Sequence, residues 1–277
     1  MDSIIQDMIN EHSLKAGIID KRVVHEVLQQ VVLAGLYRAG FFDKAVFYGG
    51  TCLRIFYGLE RFSEDLDFSL YEPDSDFDLS IYFDSILMEL SAFGCDAQIR
   101  KKKKTSMTNV ESAFLKSDTS IYNIETDMNG KITIKIEVDT NPPKGFQSEP
   151  LSLVTPFTFL TPCYTLPNLY AGKMHALLYR KWQKRVKGRD WFDFSWYVRK
   201  GIKINLDHFN SRAMQTNPEI KQPFSKESFL EAVRETIRNT NITSAKEEVL
   251  PFLKDSNAII DWSQDFFMIQ CEHIKFN

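Results

Sequence analysis

Two aspartates one residue apart, Asp65 and Asp67, follow a Gly49-Gly50-Thr51 triplet at about the length of one short helix. On an extended segment, residues i and i+2 face the same side. Both carboxylates then point together, while Leu66 and Phe68 point the other way. Two such carboxylates repel, and one tends to take up a proton unless a cation lies between them. Hard oxygen donors suit Mg2+ or Mn2+, and magnesium usually also takes substrate phosphates. The two glycines let backbone approach a phosphate closely, and a helix starting at Thr51 turns its N-terminal N–H groups toward an anion. The Thr51 hydroxyl can donate to a phosphate oxygen. A third carboxylate is available in KITIKIEVD, residues 131–139, where Glu137 and Asp139 share the polar face and compete for the role. A lone DxD usually means surface charge and a lone GGT a turn before a helix. The order strand, Gly-Gly-Thr, helix, strand with DxD points to a metal pair beside a triphosphate tail.

A second group lies downstream. Lys173 and Arg180, seven residues apart, fall near one face of a helix, and Lys173 could neutralise the phosphates of an NTP as a point charge. Lys181, Lys184, Arg185, Lys187 and Arg189 form a basic stretch that includes Trp182 and precedes Trp191. Such a mixture suits a phosphate backbone with exposed bases, and equally a solvated helix end favoured by the dipole. Asp190 and Asp193 bracket Trp191-Phe192, placed to cap the next helix or to pair with Arg180 or Lys173. Arg61 can reach a triphosphate or pair with Glu60 or Glu64. The five histidines show neither ligand spacing nor a triad.

The elements that must position these groups follow from periodicity. Residues 20–40 read as an amphipathic helix closed by Gly40, and residues 45–48 as a short strand. Residues 51–57 read as a helix ended by Gly58, and 65–70 as a strand. Residues 77–93 form a second amphipathic helix. Extended segments follow at 96–101, 112–116 and 131–139, the last opened by a hairpin turn at 128–130. Prolines at 142, 143, 150, 156, 162 and 167 mark a linker or a series of edge segments. From residue 166 the pattern is helical. A mixed α/β unit over residues 1–160, carrying an N-terminal helix, and a helical unit over 161–277 are expected.

Composition bounds the function classes. Over 277 residues, 43% hydrophobic and 26% charged with a net charge of −3, the chain resembles an ordinary globular protein, and nucleic-acid binding must come from a local patch. Residues 101–104, the one strong charge run, read as a solvated loop. The four cysteines are scattered, which argues against a cysteine zinc site and suits buried free thiols. No apolar run approaches a membrane span, and the acidic N-terminus does not resemble a signal peptide. A cytoplasmic protein is expected.

The stretch YGGTCLRIFYGLERFSEDLDFSL, residues 48–70, resembles the polymerase-β-like nucleotidyltransferase superfamily, and within it the AbiEii-type toxins of bacterial abortive-infection and toxin–antitoxin systems. AGKMHALLYRKWQKRVKGRDWFDFSWYV, residues 171–198, is similar to a second motif of that family, a Lys-x-x-Ala-Leu helix followed by Arg-Asp-x-x-Asp. The resemblance implies an α+β fold: a nucleotidyltransferase core with a mixed sheet and flanking helices, followed by a mainly helical C-terminal unit. It implies metal-dependent transfer of a nucleotidyl group from an NTP to RNA, with tRNA the best candidate, and a cognate antitoxin as partner. It implies Asp65 and Asp67 as metal ligands with Glu137, favoured over Asp139, as third carboxylate, and Gly49, Gly50 and Thr51 at the triphosphate. It places Asp190 at the nucleotide site. Modification of a small-molecule hydroxyl and non-catalytic NTP binding are the competing expectations.

Overall fold

The computed structural model describes residues 3–16, 21–101, 119–126, 132–180 and 186–277. The chain divides into two compact units. The first comprises Met1–Gly58, Phe62–Pro142 and Ser148–Cys163; the second comprises Leu59–Arg61, Pro143–Gln147 and Tyr164–Asn277. The two units meet in the chain between Cys163 and Tyr164, and two short segments from before that point, Leu59–Arg61 and Pro143–Gln147, belong with the second unit.

The first unit carries α1 (Ser3–Ala16), α2 (Lys21–Arg38), β1 (Ala45–Tyr48), α3 (Gly49–Tyr57), β2 (Asp65–Leu70), α4 (Phe83–Ala92), β3 (Ala97–Lys101), β4 (Thr119–Thr126), β5 (Ile132–Asp139), β6 (Ser148–Leu153) and β7 (Phe159–Tyr164). The strands form one mixed sheet in the order β3-β4-β5-β2-β1-β7-β6. β2 runs antiparallel to β1 and parallel to β5, and β7 runs parallel to β1. Alternation explains the strands. Ile132, Ile134, Ile136 and Val138 of β5 are buried, as are Leu66 and Phe68 of β2, so one face of the sheet is core and the opposite face carries Asp65, Asp67, Lys135 and Glu137.

Several expectations change. α2 is not amphipathic over its second half: residues 27–36 are all buried, because α1, α4 and β5 pack around it. The helix expected over 77–93 is a 3-10 turn at Leu79–Tyr82 followed by α4, with Asp78 capping the turn through Ser80. The proline-rich region is not a linker. It supplies β6 at the sheet edge and β7 inside the sheet. β4 was not anticipated; it fills the place between β3 and β5. The segment expected at 112–116 and the turn at 128–130 lie outside the described residues.

The second unit holds α5 (Leu166–Tyr179), α6 (Gly188–Arg199), β8 (Lys203–Ile204), α7 (Leu206–Thr216), α8 (Lys226–Asn239), α9 (Ile242–Val249), α10 (Gln264–Glu272) and β9 (Lys275–Phe276), with β8 and β9 paired in parallel. Its core is aromatic. Tyr170 stacks on Tyr197 at 4.3 Å between centroids, Trp191 meets Phe267 at 4.8 Å, and Phe209 meets Phe229 at 4.9 Å. α6 and α9 touch where Gly188 leaves no side chain: a Cβ there would lie 1.8 Å from the Ala245 carbonyl oxygen. The four cysteines are buried and free. No described helix is long and apolar enough to cross a membrane.

Candidate functional site

In the first unit the site is built by strand register. β2 and β5 align so that Asp65 lies beside Lys135 and Asp67 beside Glu137. Asp65, Asp67 and Glu137 therefore share one face. Asp139, the competing third carboxylate, stands two residues further on beside Ser69, is buried, and accepts a hydrogen bond from the Asn141 backbone N–H.

The Gly-Gly-Thr triplet opens α3. β1 delivers it to the same place, because Tyr48 at the end of β1 pairs with Asp67. Gly49 has φ 83°, and a Cβ there would lie 2.2 Å from Asp67 Oδ2, so only glycine lets the helix start against this carboxylate. No side chain at the N-cap position Tyr48 caps α3, and its first-turn N–H groups suit an anion. Thr51 is fully buried, and its hydroxyl donates to the Asp65 backbone carbonyl. The hydroxyl proton expected at a phosphate thus ties α3 to β2 instead. Gln29 of α2 does similar work from the other side, donating to the carbonyls of Ser63 and Glu64 just ahead of β2.

Lys135 was not anticipated as part of the site. Its ammonium is hydrogen-bonded to Glu137 Oε1 and lies 4.0 Å from Asp65 Oδ2. Burial works against its charge, but the hydrogen bond to Glu137 and the charges of Glu137, Asp65 and Asp67 outweigh it, and its pKa stands above the ordinary lysine value. The signal was present in the sequence: Lys135 is two residues before Glu137 on the same face of β5.

The three carboxylates fit a divalent cation in kind, being hard oxygen donors side by side on one rigid sheet. Among the described residues, no group of three or more His, Cys, Asp or Glu is drawn together as a metal cluster. Glu137 is instead engaged by Lys135.

The second unit holds its own charge cluster. Arg61 makes two 2.6 Å hydrogen bonds to Asp193, a fork-to-carboxylate pair with both residues buried. Lys173 bridges Asp190 at 2.9 Å and Asp193 at 2.8 Å, and Arg180 reaches Asp190 at 3.2 Å. Of the partners expected for Arg61, Glu60 instead meets Arg199. Burial disfavours every charge here, yet the facing charges win: Asp190 is held down to about 2, Asp193 lies below its ordinary value, and Lys173 and Arg61 lie above theirs. Lys187 goes the other way, lowered to about 8 by burial and by repulsion from Arg180. Arg189 pairs with Glu248 at 3.3 Å and lies over the Phe252 ring at 3.9 Å. Lys181, Lys184 and Arg185 lie outside the described residues.

Comparison with known proteins bears on the fold and the family. Solved structures that share the fold include JHP933 from Helicobacter pylori, 16% identical over 91% of this chain and 89% of that one with a TM-score of 0.53, and MenT4, a nucleotidyltransferase toxin from Mycobacterium tuberculosis H37Rv, 16% identical over 96% and 86% with a TM-score of 0.52. No curated protein matches the sequence. The family model described as nucleotidyl transferase AbiEii toxin, type IV toxin–antitoxin system, matches residues 31–268, and the chain belongs to that family.

Proposed function

We propose that the protein transfers a nucleotidyl group from an NTP to a hydroxyl of RNA, with tRNA the favoured acceptor, in a reaction that depends on Mg2+ or Mn2+. The observation that carries this reading is the β2/β5 register, which sets Asp67 beside Glu137 on the same face as Asp65, with Gly49 of α3 against Asp67. In this reading Asp65, Asp67 and Glu137 hold the cation. A bound divalent cation supplies charge neutralisation and Lewis-acid polarisation of the transferred phosphoryl group. The N-terminus of α3, through the backbone of Gly49, Gly50 and Thr51, holds the phosphates, and the Thr51 hydroxyl keeps that helix in place. Glu137 also accepts the proton of the attacking hydroxyl.

In the second unit Lys173 and Asp190 are assigned to the nucleotide; Arg61, expected at the triphosphate, is instead held by Asp193, whose carboxylate also keeps Lys173 fixed and charged. Arg180, Lys187 and Arg189, with Lys181, Lys184 and Arg185, are assigned to the RNA backbone. Family membership supports an antitoxin as partner.

The test is incubation of the protein with total RNA, Mg2+ or Mn2+, and each labelled NTP in turn. Label in an RNA band is expected, with Asp65→Asn and Asp67→Asn each losing at least about a hundredfold in rate, since each removes a ligand of the cation that would stabilise the transferred group. Label that persists in both variants overturns the site. A small-molecule acceptor is favoured if NTP is consumed with no RNA labelled, and a binding role if NTP binds without turnover.

A further inference from the structure

The β2/β5 patch carries four charges: Asp65 and Asp67 on β2, Lys135 and Glu137 on β5. Three carboxylates and one ammonium leave two negative charges on a single sheet face. The ammonium lies between the strands, bonded to Glu137 and 4.0 Å from Asp65. Lys135 is neither freely solvated nor fully enclosed, with 31% of its side chain exposed. An ordinary surface ion pair contributes little. This one has a further consequence, because one of its carboxylates is a ligand in the nucleotidyl-transfer reading and the other is the proposed third ligand.

We propose that Lys135 is a positioning residue of the metal site: its ammonium is the resident counter-ion of Glu137 and Asp65, and a divalent cation must compete with it for Glu137. The inference rests on the nucleotidyl-transfer reading. Without the ammonium, three carboxylates would crowd one face and repel. With it, the strands pair without metal, and the cation binds more weakly because a positive charge already stands beside its ligands.

The experiment is a Mn2+ titration of the full chain, reading free Mn2+ by electron paramagnetic resonance, with thermal melts in Mn2+ and in EDTA. Wild type is compared with Lys135→Met, Lys135→Gln, Lys135→Arg and Asp67→Asn. Removing one positive charge a few ångströms from a dication in a wet site tightens binding on the order of tenfold. Lys135→Met and Lys135→Gln are expected to bind Mn2+ that much more tightly and to gain more in melting temperature from Mn2+ than wild type. Lys135→Arg keeps the charge and should follow wild type. Binding lost in Asp67→Asn but equal in wild type, Lys135→Met and Lys135→Gln overturns this inference and leaves the metal reading standing. No saturable Mn2+ binding in any variant overturns both. Two neutral variants guard against one that fails to fold, and a metal-dependent melt is a readout that a purely structural ion pair would not move.

Discussion

Gly49 is the residue where backbone geometry and chemistry meet. Its φ of 83° suits glycine, and a Cβ would fall 2.2 Å from Asp67 Oδ2. Gly49→Ala therefore both strains the backbone and pushes a carboxylate off the shared face. We expect this substitution to cost about 1–3 kcal/mol of stability and to lower nucleotide transfer by more than the folded fraction explains, checked by chemical unfolding beside the labelling assay. Thr51 offers a contrast. Its hydroxyl donates to the Asp65 carbonyl inside the protein, so Thr51→Ser keeps the donor and should retain transfer, whereas Thr51→Val leaves a buried carbonyl without it. That change should cost about 1–3 kcal/mol and weaken transfer through a shifted Asp65 rather than through a lost phosphate contact. Apparent affinity for NTP that falls in Thr51→Val without loss of stability would return the hydroxyl to the phosphate.

Among the elements, those that carry chemistry were the legible ones. β2 was read at its observed limits and β5 to within a residue, because each alternates apolar and polar residues over its whole length. The helix after the triplet begins at Gly49, two residues before the expected start. β4 escaped because Thr119–Thr126 mixes Tyr122 and Ile124 with polar neighbours and gives no strong alternation. β6 matches the edge-segment alternative read for the proline-rich region, since a sheet edge tolerates Pro150, whereas β7 escaped because Pro162 argues against a strand inside a sheet. Register was not legible at all. Which residue of β5 lies beside Asp67 depends on pairing across about 70 residues of chain, and that pairing separates Glu137 from Asp139 and brings in Lys135. The element joining Arg61 to α6 was equally hidden, since Arg61 and Asp193 are 132 residues apart. Their pair is testable at this scale. Asp193→Ala takes from Arg61 and Lys173 the carboxylate they share and should destabilise the second unit by about 3–5 kcal/mol, whereas Arg61→Met with Asp193→Leu should recover part of that loss, Lys173 keeping Asp190. Tryptophan fluorescence reports it, because Trp191, Trp196 and Trp262 all lie in the second unit.

At the scale of the whole molecule, a net charge of −3 conceals local balances of opposite sign, and the acid response of the fold follows from which of them titrate. The carboxylates of the buried cluster do not set it at mild pH: with Asp190 held at about 2, the stability it lends is present above the ordinary carboxylate range and is lost as pH falls through that value. The buried histidines act earlier. Burial, with repulsion from Arg212 and Arg180, holds His175 at about 3, and burial with Arg212 holds His208 at about 4, against 6.5 for the free side chain. Both are neutral in the folded second unit, so the unfolded chain binds more protons once the pH drops below 6.5. Stability is whole above that pH and declines until the folded values are reached, by about 2 kcal/mol per histidine at pH 5, since each unit of displacement is worth 1.36 kcal/mol. Unfolding followed by tryptophan fluorescence between pH 7 and pH 4.5 should therefore show a steep loss. His175→Gln and His208→Gln should each flatten it, whatever they do to stability at pH 7, because a side chain that cannot take up the proton removes its share of the slope. An unchanged slope in both variants would mean that groups other than these two histidines carry the acid sensitivity of the second unit.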